Sequence, residues 1–149
     1  MVSPRRINPP HYFLFALLTM LLLSRLPGAS LLPGYLPLFG VVPIATGVTL
    51  VLWAARLFTR VGTNIIPLTQ SSALVIEGPF AYSRNPMYLG LLLALTGLAI
   101  VLDSAWPWLV LPVFYAVIRL RFVRHEERLM EATFGDAYRA YCGRVRRFI

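Results

Sequence analysis

Two short stretches carry side chains that could hold a polar ligand beside apolar sequence. In "YSRNPMYLG", Tyr82 to Gly90, Arg84 and Asn85 precede Pro86, and Tyr88 follows Arg84 by four residues. Proline suits the first turn of a helix, where its missing N–H would have no partner anyway. Residues four apart share a helix face. A helix start also presents free N–H groups and a partial positive charge, which suit a carboxylate or another anion. Arg84, Asn85 and Tyr88 therefore read as a ligand cradle. In "RFVRHEE", Arg121 to Glu127, Glu126 and Glu127 stand beside arginines. A carboxylate there can accept from ribose hydroxyls or sit near a cationic group. A solvated, salt-bridged helix face is the other reading.

The elements that must position these groups are apolar. The chain has 149 residues, 58% of them hydrophobic and 13% charged, and a mean hydropathy of +0.69. This composition predicts an all-α integral membrane protein and excludes an ordinary soluble domain. Four transmembrane helices are expected, over about 11–26, 35–55, 87–102 and 105–118, in a single domain covering 1–149. Asp103 and Ser104 form the turn between the last two, flanked by Trp106 and Trp108 as interfacial anchors. The last two segments are short for a bilayer unless their helices run on beyond it, and a re-entrant hairpin is the alternative. Gly40 and Gly47, and Gly90 and Gly97, form pairs seven residues apart that offer small faces for close packing.

All 14 basic residues are arginine. Thirteen flank the segment ends that fall on one side, and Arg25 alone lies on the other. That asymmetry predicts an even number of spans with both termini cytoplasmic, and it accounts for the net charge of +8 without nucleic acid. A lysine-free, arginine-rich chain points to a bacterial inner membrane. The lone Cys142 excludes an intrachain disulfide and reads as a packing residue, and His11 and His125 lack metal-ligand spacing, so no metal is expected.

The stretch from Arg60 to Arg84 is a cytoplasmic, turn-rich linker, in which "ALVI" and then "EGPF" suggest an extended piece entering a turn. After Ile118 a charged C-terminal helical segment, 119–147, is expected to break at Gly135, with Asp136 capping its second part. Met130, Phe134, Tyr138, Tyr141 and Val145 recur at spacings that make one apolar stripe, which should dock on the domain or the membrane surface. Antiparallel packing of the third and fourth helices would bring the cradle and the paired glutamates together.

"LVIEGPFAYSRNPMYLG" followed by "EERLMEATFGDAYRAY" resembles the isoprenylcysteine carboxyl methyltransferase and phospholipid methyltransferase group of integral membrane enzymes. The likeness covers about half the chain, in two blocks separated by one helical hairpin. It implies S-adenosylmethionine as cofactor, S-adenosylhomocysteine as product, and a lipophilic small molecule or lipid as acceptor, a carboxylate being one acceptor group and an amino-lipid nitrogen another. By position, Leu74, Val75 and Phe80 would line the cofactor site, Asn85, Pro86, Met87 and Tyr88 would hold the cofactor at the helix start, and Glu126 or Glu127 would bind its polar end. Arg121 matches an arginine associated with the substrate carboxylate, with Arg124 as its rival. Asn85 stands where the family commonly has histidine, and asparagine cannot titrate. Phe80 stands where tyrosine is frequent. A non-catalytic membrane scaffold that keeps the fold without the chemistry is the reading from another class.

Overall fold

The computed structural model describes residues 8–62 and 73–149. Arg5, Arg6 and the centre of the expected linker, 63–72, lie outside them. The described residues form helices and turns without a strand. Helix α1 (Pro9–Leu23) opens with two prolines at positions whose N–H groups would be unpaired, and the Asn8 carbonyl accepts from the His11 amide at 3.0 Å. A 3-10 turn over Leu36–Gly40 runs into α2 (Val41–Val61). Gly62, at φ 66 and ψ 24, ends α2 in the left-handed region that glycine enters without penalty.

After the linker, Glu77 is extended, Gly78 has φ 58, and a 3-10 turn follows over Gly78–Ala81. The turn expected at "EGPF" is therefore present, entered through an extended Glu77. Helix α3 (Pro86–Leu102) starts at the proline and ends at Asp103, with φ 46 and ψ 44. The fourth apolar segment begins with a single turn, α4 (Ala105–Trp108), and continues as α5 (Val110–Ile118). There is no break where the charges begin. A π-helical turn, Arg119–Val123, joins α5 directly to α6 (Arg124–Arg144). Inside α6, Gly135 has φ 51 and ψ −120, so the helix kinks at the expected glycine. Asp136, expected as a cap, accepts from Arg139 Nη2 at 2.8 Å.

Among the described residues, two helical runs, Leu36–Val61 and Ala105–Arg144, are long and apolar enough to cross a membrane. Helices α1 and α3 are apolar but have 15 and 17 residues, short of the roughly 20 that a hydrocarbon core requires. The molecule is apolar outward. Phe15 and Leu22 of α1 are 72% and 73% exposed, and Val42 and Trp53 of α2 are also exposed. Such a surface is one that lipid covers.

Lipid contact leaves little hydrophobic drive between helices, so close packing and polar ties must hold them. Met20 of α1, Leu95 of α3, and Ile118 and Val123 of the α5–α6 run are fully buried together, with Phe114 and Phe122 beside them. Helices α2 and α3 touch through backbone. A Cβ on Gly47 or Gly90 would run into the other's carbonyl oxygen, and Gly40 and Gly97 stand in the same reciprocal relation. The seven-residue spacing in each helix thus marks one antiparallel seam.

At the other end of the bundle, Asp103 ties the α3–α4 turn to the loop after α1. Its carboxylate accepts from the Leu31 and Leu32 amides at 2.9 and 2.8 Å and from the Ser30 hydroxyl, while Trp106 Nε1 donates to the Pro27 carbonyl at 3.1 Å. The Ser30 hydrogen bond, with help from the two amides, holds the Asp103 carboxyl below the usual carboxylate range. A depressed folded pKa gives stability that is present above the unfolded pKa and lost as pH falls through the folded one. Asp103→Asn, which tolerates the same left-handed backbone, should therefore lower the thermal midpoint in detergent at neutral pH. The difference from wild type should close as pH drops below about 4. A gap independent of pH would remove the carboxylate from the explanation.

Candidate ligand site at the arginine-rich end

The start of α3 and the first turn of α6 lie against each other. The Tyr88 hydroxyl donates to Glu126 Oε1 at 2.7 Å, and Arg84 Nη1 lies 3.4 Å from Glu127 Oε1. Both contacts follow from topology. The α3–α4 turn sends the chain back antiparallel, and the unbroken α5–α6 run carries the glutamates to the level of Pro86. Burial pushes the Glu126 carboxyl up, and the neighbouring Glu127 charge adds to this, while the Tyr88 hydrogen bond opposes it.

Glu127 is the hub of the charges. Arg147 grips it with two bonds, Nε to Oε1 at 2.9 Å and Nη2 to Oε2 at 2.7 Å. The forked geometry is the strong form of an arginine–carboxylate pair, and it holds the Arg147 guanidinium protonated beyond its ordinary range. Arg84 sits between this pair and Cys142, donating from Nη1 to Cys142 Sγ at 2.6 Å. The Arg84 Nε is buried and has no hydrogen-bond partner among the described residues.

The apolar stripe of α6 docks as expected. Tyr138, Tyr141 and Val145 are buried against Leu74, Met130 and Phe134. The Tyr141 hydroxyl donates to the Phe80 carbonyl at 2.6 Å, fastening α6 to the "EGPF" turn. Burial pushes the Tyr141 phenol up to about 12, against the pull of Arg84, and burial likewise raises Tyr138.

Between these elements lies a cavity of about 510 Å³ walled by Arg84, Glu127, Tyr138, Cys142 and Arg147, with the exposed Arg124, Arg128 and Glu131 completing it. Of the residues singled out from sequence, Arg84 and Glu127 reach this cavity, and so does Arg124. Asn85, Pro86 and Tyr88 are buried nearby, and Glu126 is turned to Tyr88. Val75 and Phe80 pack on Ala54, Leu57, Phe58 and Met87, and Leu74 packs on the tyrosines. Arg121 is exposed and donates to the Tyr12 hydroxyl of α1 at 2.8 Å, away from the cavity lining. Sequence reasoning missed Arg128, Glu131 and Arg147 and assigned Tyr138 and Cys142 to packing alone. Arg128 and Glu131 follow Arg124 and Glu127 by four residues each, a helical spacing that could have found them.

The wall offers guanidinium groups for a carboxylate, carboxylates for an ammonium or for hydroxyls, and the ring of Tyr138. That donor set suits a zwitterionic, amino-acid-like ligand bearing further polar groups.

The sequence model of the phospholipid methyltransferase family matches residues 36–137. A protein of Haemophilus influenzae described as uncharacterized is 40% identical to this chain over 63 residues, which are 42% of this chain and 100% of that protein. No solved structure matches.

Proposed function

This chain belongs to the phospholipid methyltransferase family, a family of membrane methyltransferases, and from that premise we propose that it moves a methyl group from S-adenosylmethionine to a lipophilic acceptor. The observation that carries the reading is the meeting of Arg84 and Glu127 at one cavity, each from a different one of the two sequence blocks. The cavity's donor set fits the cofactor, and the buried, unpartnered Arg84 Nε is a donor left for a ligand. Arg84 would hold its carboxylate, Glu127 its ammonium or ribose hydroxyls, and Tyr138 a ring face beside them. Asn85 and Tyr88 would support the same site from the helix start. When bound, the cofactor supplies a methyl group already activated on a sulfonium.

The protein's own task is then alignment, which can account for several kcal/mol of the barrier. Arg124 and Arg128 place positive charge along the cavity wall, where they would draw an anionic acceptor group. A carboxylate acceptor needs no base, since it is ionised at neutral pH. An amine acceptor needs a group to take its proton. Glu126, bonded to Tyr88 at 2.7 Å and one residue before the cavity-lining Glu127, is the carboxylate to which we would assign that role. We place the arginine-rich end in the cytoplasm, read α1 and α3 as completing four spans, and take 1–149 as one domain.

Calorimetric titration of the detergent-solubilised protein with S-adenosylhomocysteine tests the reading. A dissociation constant on the order of 10 μM is expected, whereas a scaffold without chemistry would show no heat. Labelled cofactor with lipid extract then separates the acceptors, because an ester releases its label in base and a methylated amine keeps it.

A further inference from the structure

Helix α6 ends at Arg144, and the chain leaves it with Val145 extended at φ −120 and ψ 129. The tail from Val145 onward lies beyond the residues that the family model matches, 36–137, yet it is fastened to the start of α3. The Arg84 amide donates to the Arg146 carbonyl at 3.0 Å, and Asn85 Nδ2 donates to the Arg147 carbonyl at 3.0 Å. The Ser83 hydroxyl reaches the same Arg147 oxygen at 3.4 Å. The Arg147 guanidinium occupies both oxygens of Glu127. At the end of the tail, the Phe148 ring meets Tyr115 at a centroid distance of 5.5 Å, and Ile149 is 81% exposed.

Asn85 and Glu127, both read as cofactor-binding groups, are thus both engaged by one residue. Asn85 is 7% exposed and turns its side-chain amide to the tail's carbonyl. We propose that residues 146–149 form a strap over the ligand site, with Arg147 as its latch, and that ligand binding releases the latch. This rests on the cofactor reading of the cavity. The exchange is balanced in charge, since an incoming ammonium takes the place of the guanidinium on Glu127. The strap is held by three hydrogen bonds to its main-chain carbonyls, one ion pair, and the Phe148 ring, which packs on Tyr115 and the edge of the main core. Contacts this few can open at lower cost than global unfolding. A site closed most of the time binds more weakly by the fraction that is open.

Arg147→Gln removes the forked ion pair, while Glu127 keeps Arg84 at 3.4 Å. The variant should bind S-adenosylhomocysteine about tenfold more tightly than wild type, the gain expected if the latch is closed nine-tenths of the time. In the unaltered protein, hydrogen exchange at the Arg84 amide should quicken when S-adenosylhomocysteine is added, because its acceptor on Arg146 moves away. Equal or weaker binding by the variant, or a slower Arg84 amide in the complex, overturns the strap and makes Arg147 a fixed part of the wall. The exchange measurement stands by itself should the variant fail to fold. Absence of binding by wild type is a different result, which removes the cofactor reading and the strap together.

Discussion

Glu127→Ala should reduce affinity for S-adenosylhomocysteine by at least about 10-fold, because a ligand loses one or two charge-assisted hydrogen bonds, at about 1.5–3 kcal/mol each. The same substitution leaves Arg84 and Arg147 facing each other without their shared carboxylate. The Arg84 side chain is 15% exposed and Arg147 37% exposed. A fully buried broken pair costs about 3–5 kcal/mol, but water screens the more exposed arginine, so a loss of about 2 kcal/mol in folding stability is expected. Thermal midpoints and calorimetric titration on the same preparation separate the two effects. Asp136→Asn is the comparison, since the Asp136 side chain is 97% exposed in its pair with Arg139 and the change should cost under about 0.5 kcal/mol. Affinity within threefold of wild type, alongside the stability loss, would make the Arg84–Glu127–Arg147 cluster a structural tie and no part of a cofactor site.

Gly47→Val should prevent folding or cost roughly 3 kcal/mol or more, at the upper end of overpacking effects. A Cβ on Gly47 meets the Gly90 carbonyl and comes within 2.7 Å of the Ala94 amide nitrogen, all of it backbone that no rotamer change can move. The helices would have to part, and α3 carries Asn85, Pro86 and Tyr88 within two turns of Gly90. Ligand affinity should therefore fall with stability in any fraction that folds. Gly143→Ala is the contrast, because no described residue lies within 4 Å of its Cβ position, and alanine in a helix gains up to about 1 kcal/mol over glycine. Monodispersity in detergent and the thermal midpoint report both. A Gly47→Val protein that behaves like wild type would mean that α2 and α3 are not in backbone contact.

The seam and the site differ in how far the chain itself disclosed them. Pro86 marks the start of α3 because proline fits the first helical turn, and Asp103 marks its end because a polar pair interrupts apolar sequence. Both boundaries fall within a residue of expectation. The paired glycines were visible for the same reason, since spacing of seven is local information. Tyr88 with Glu126 required one further step, the antiparallel hairpin, and that too is topology. The continuity from α5 into α6 was harder to see. A change from apolar to charged residues suggests a boundary, yet arginine, leucine and glutamate are all good helix formers, and nothing in "RLRFVRHEER" stops a helix. Arg147 left no local mark at all. Its contacts span 20 residues to Glu127 and 62 to Asn85, and no periodic pattern encodes a tail folding back. Arg121 is the opposite case, a position matched to a family pattern whose side chain is turned toward Tyr12.

The wide turn at Arg119–Val123 sets the angular phase of everything after it. Each residue in an α-helix advances about 100° around the axis, and a π turn absorbs one additional residue without breaking the rod. The rod can therefore present one azimuth to its apolar neighbours as far as Ile118 and another to α3 from Glu126 onward. Lipid-facing and ligand-facing surfaces are decoupled along a single continuous helix, so either half can change its contacts without rotating the other out of register.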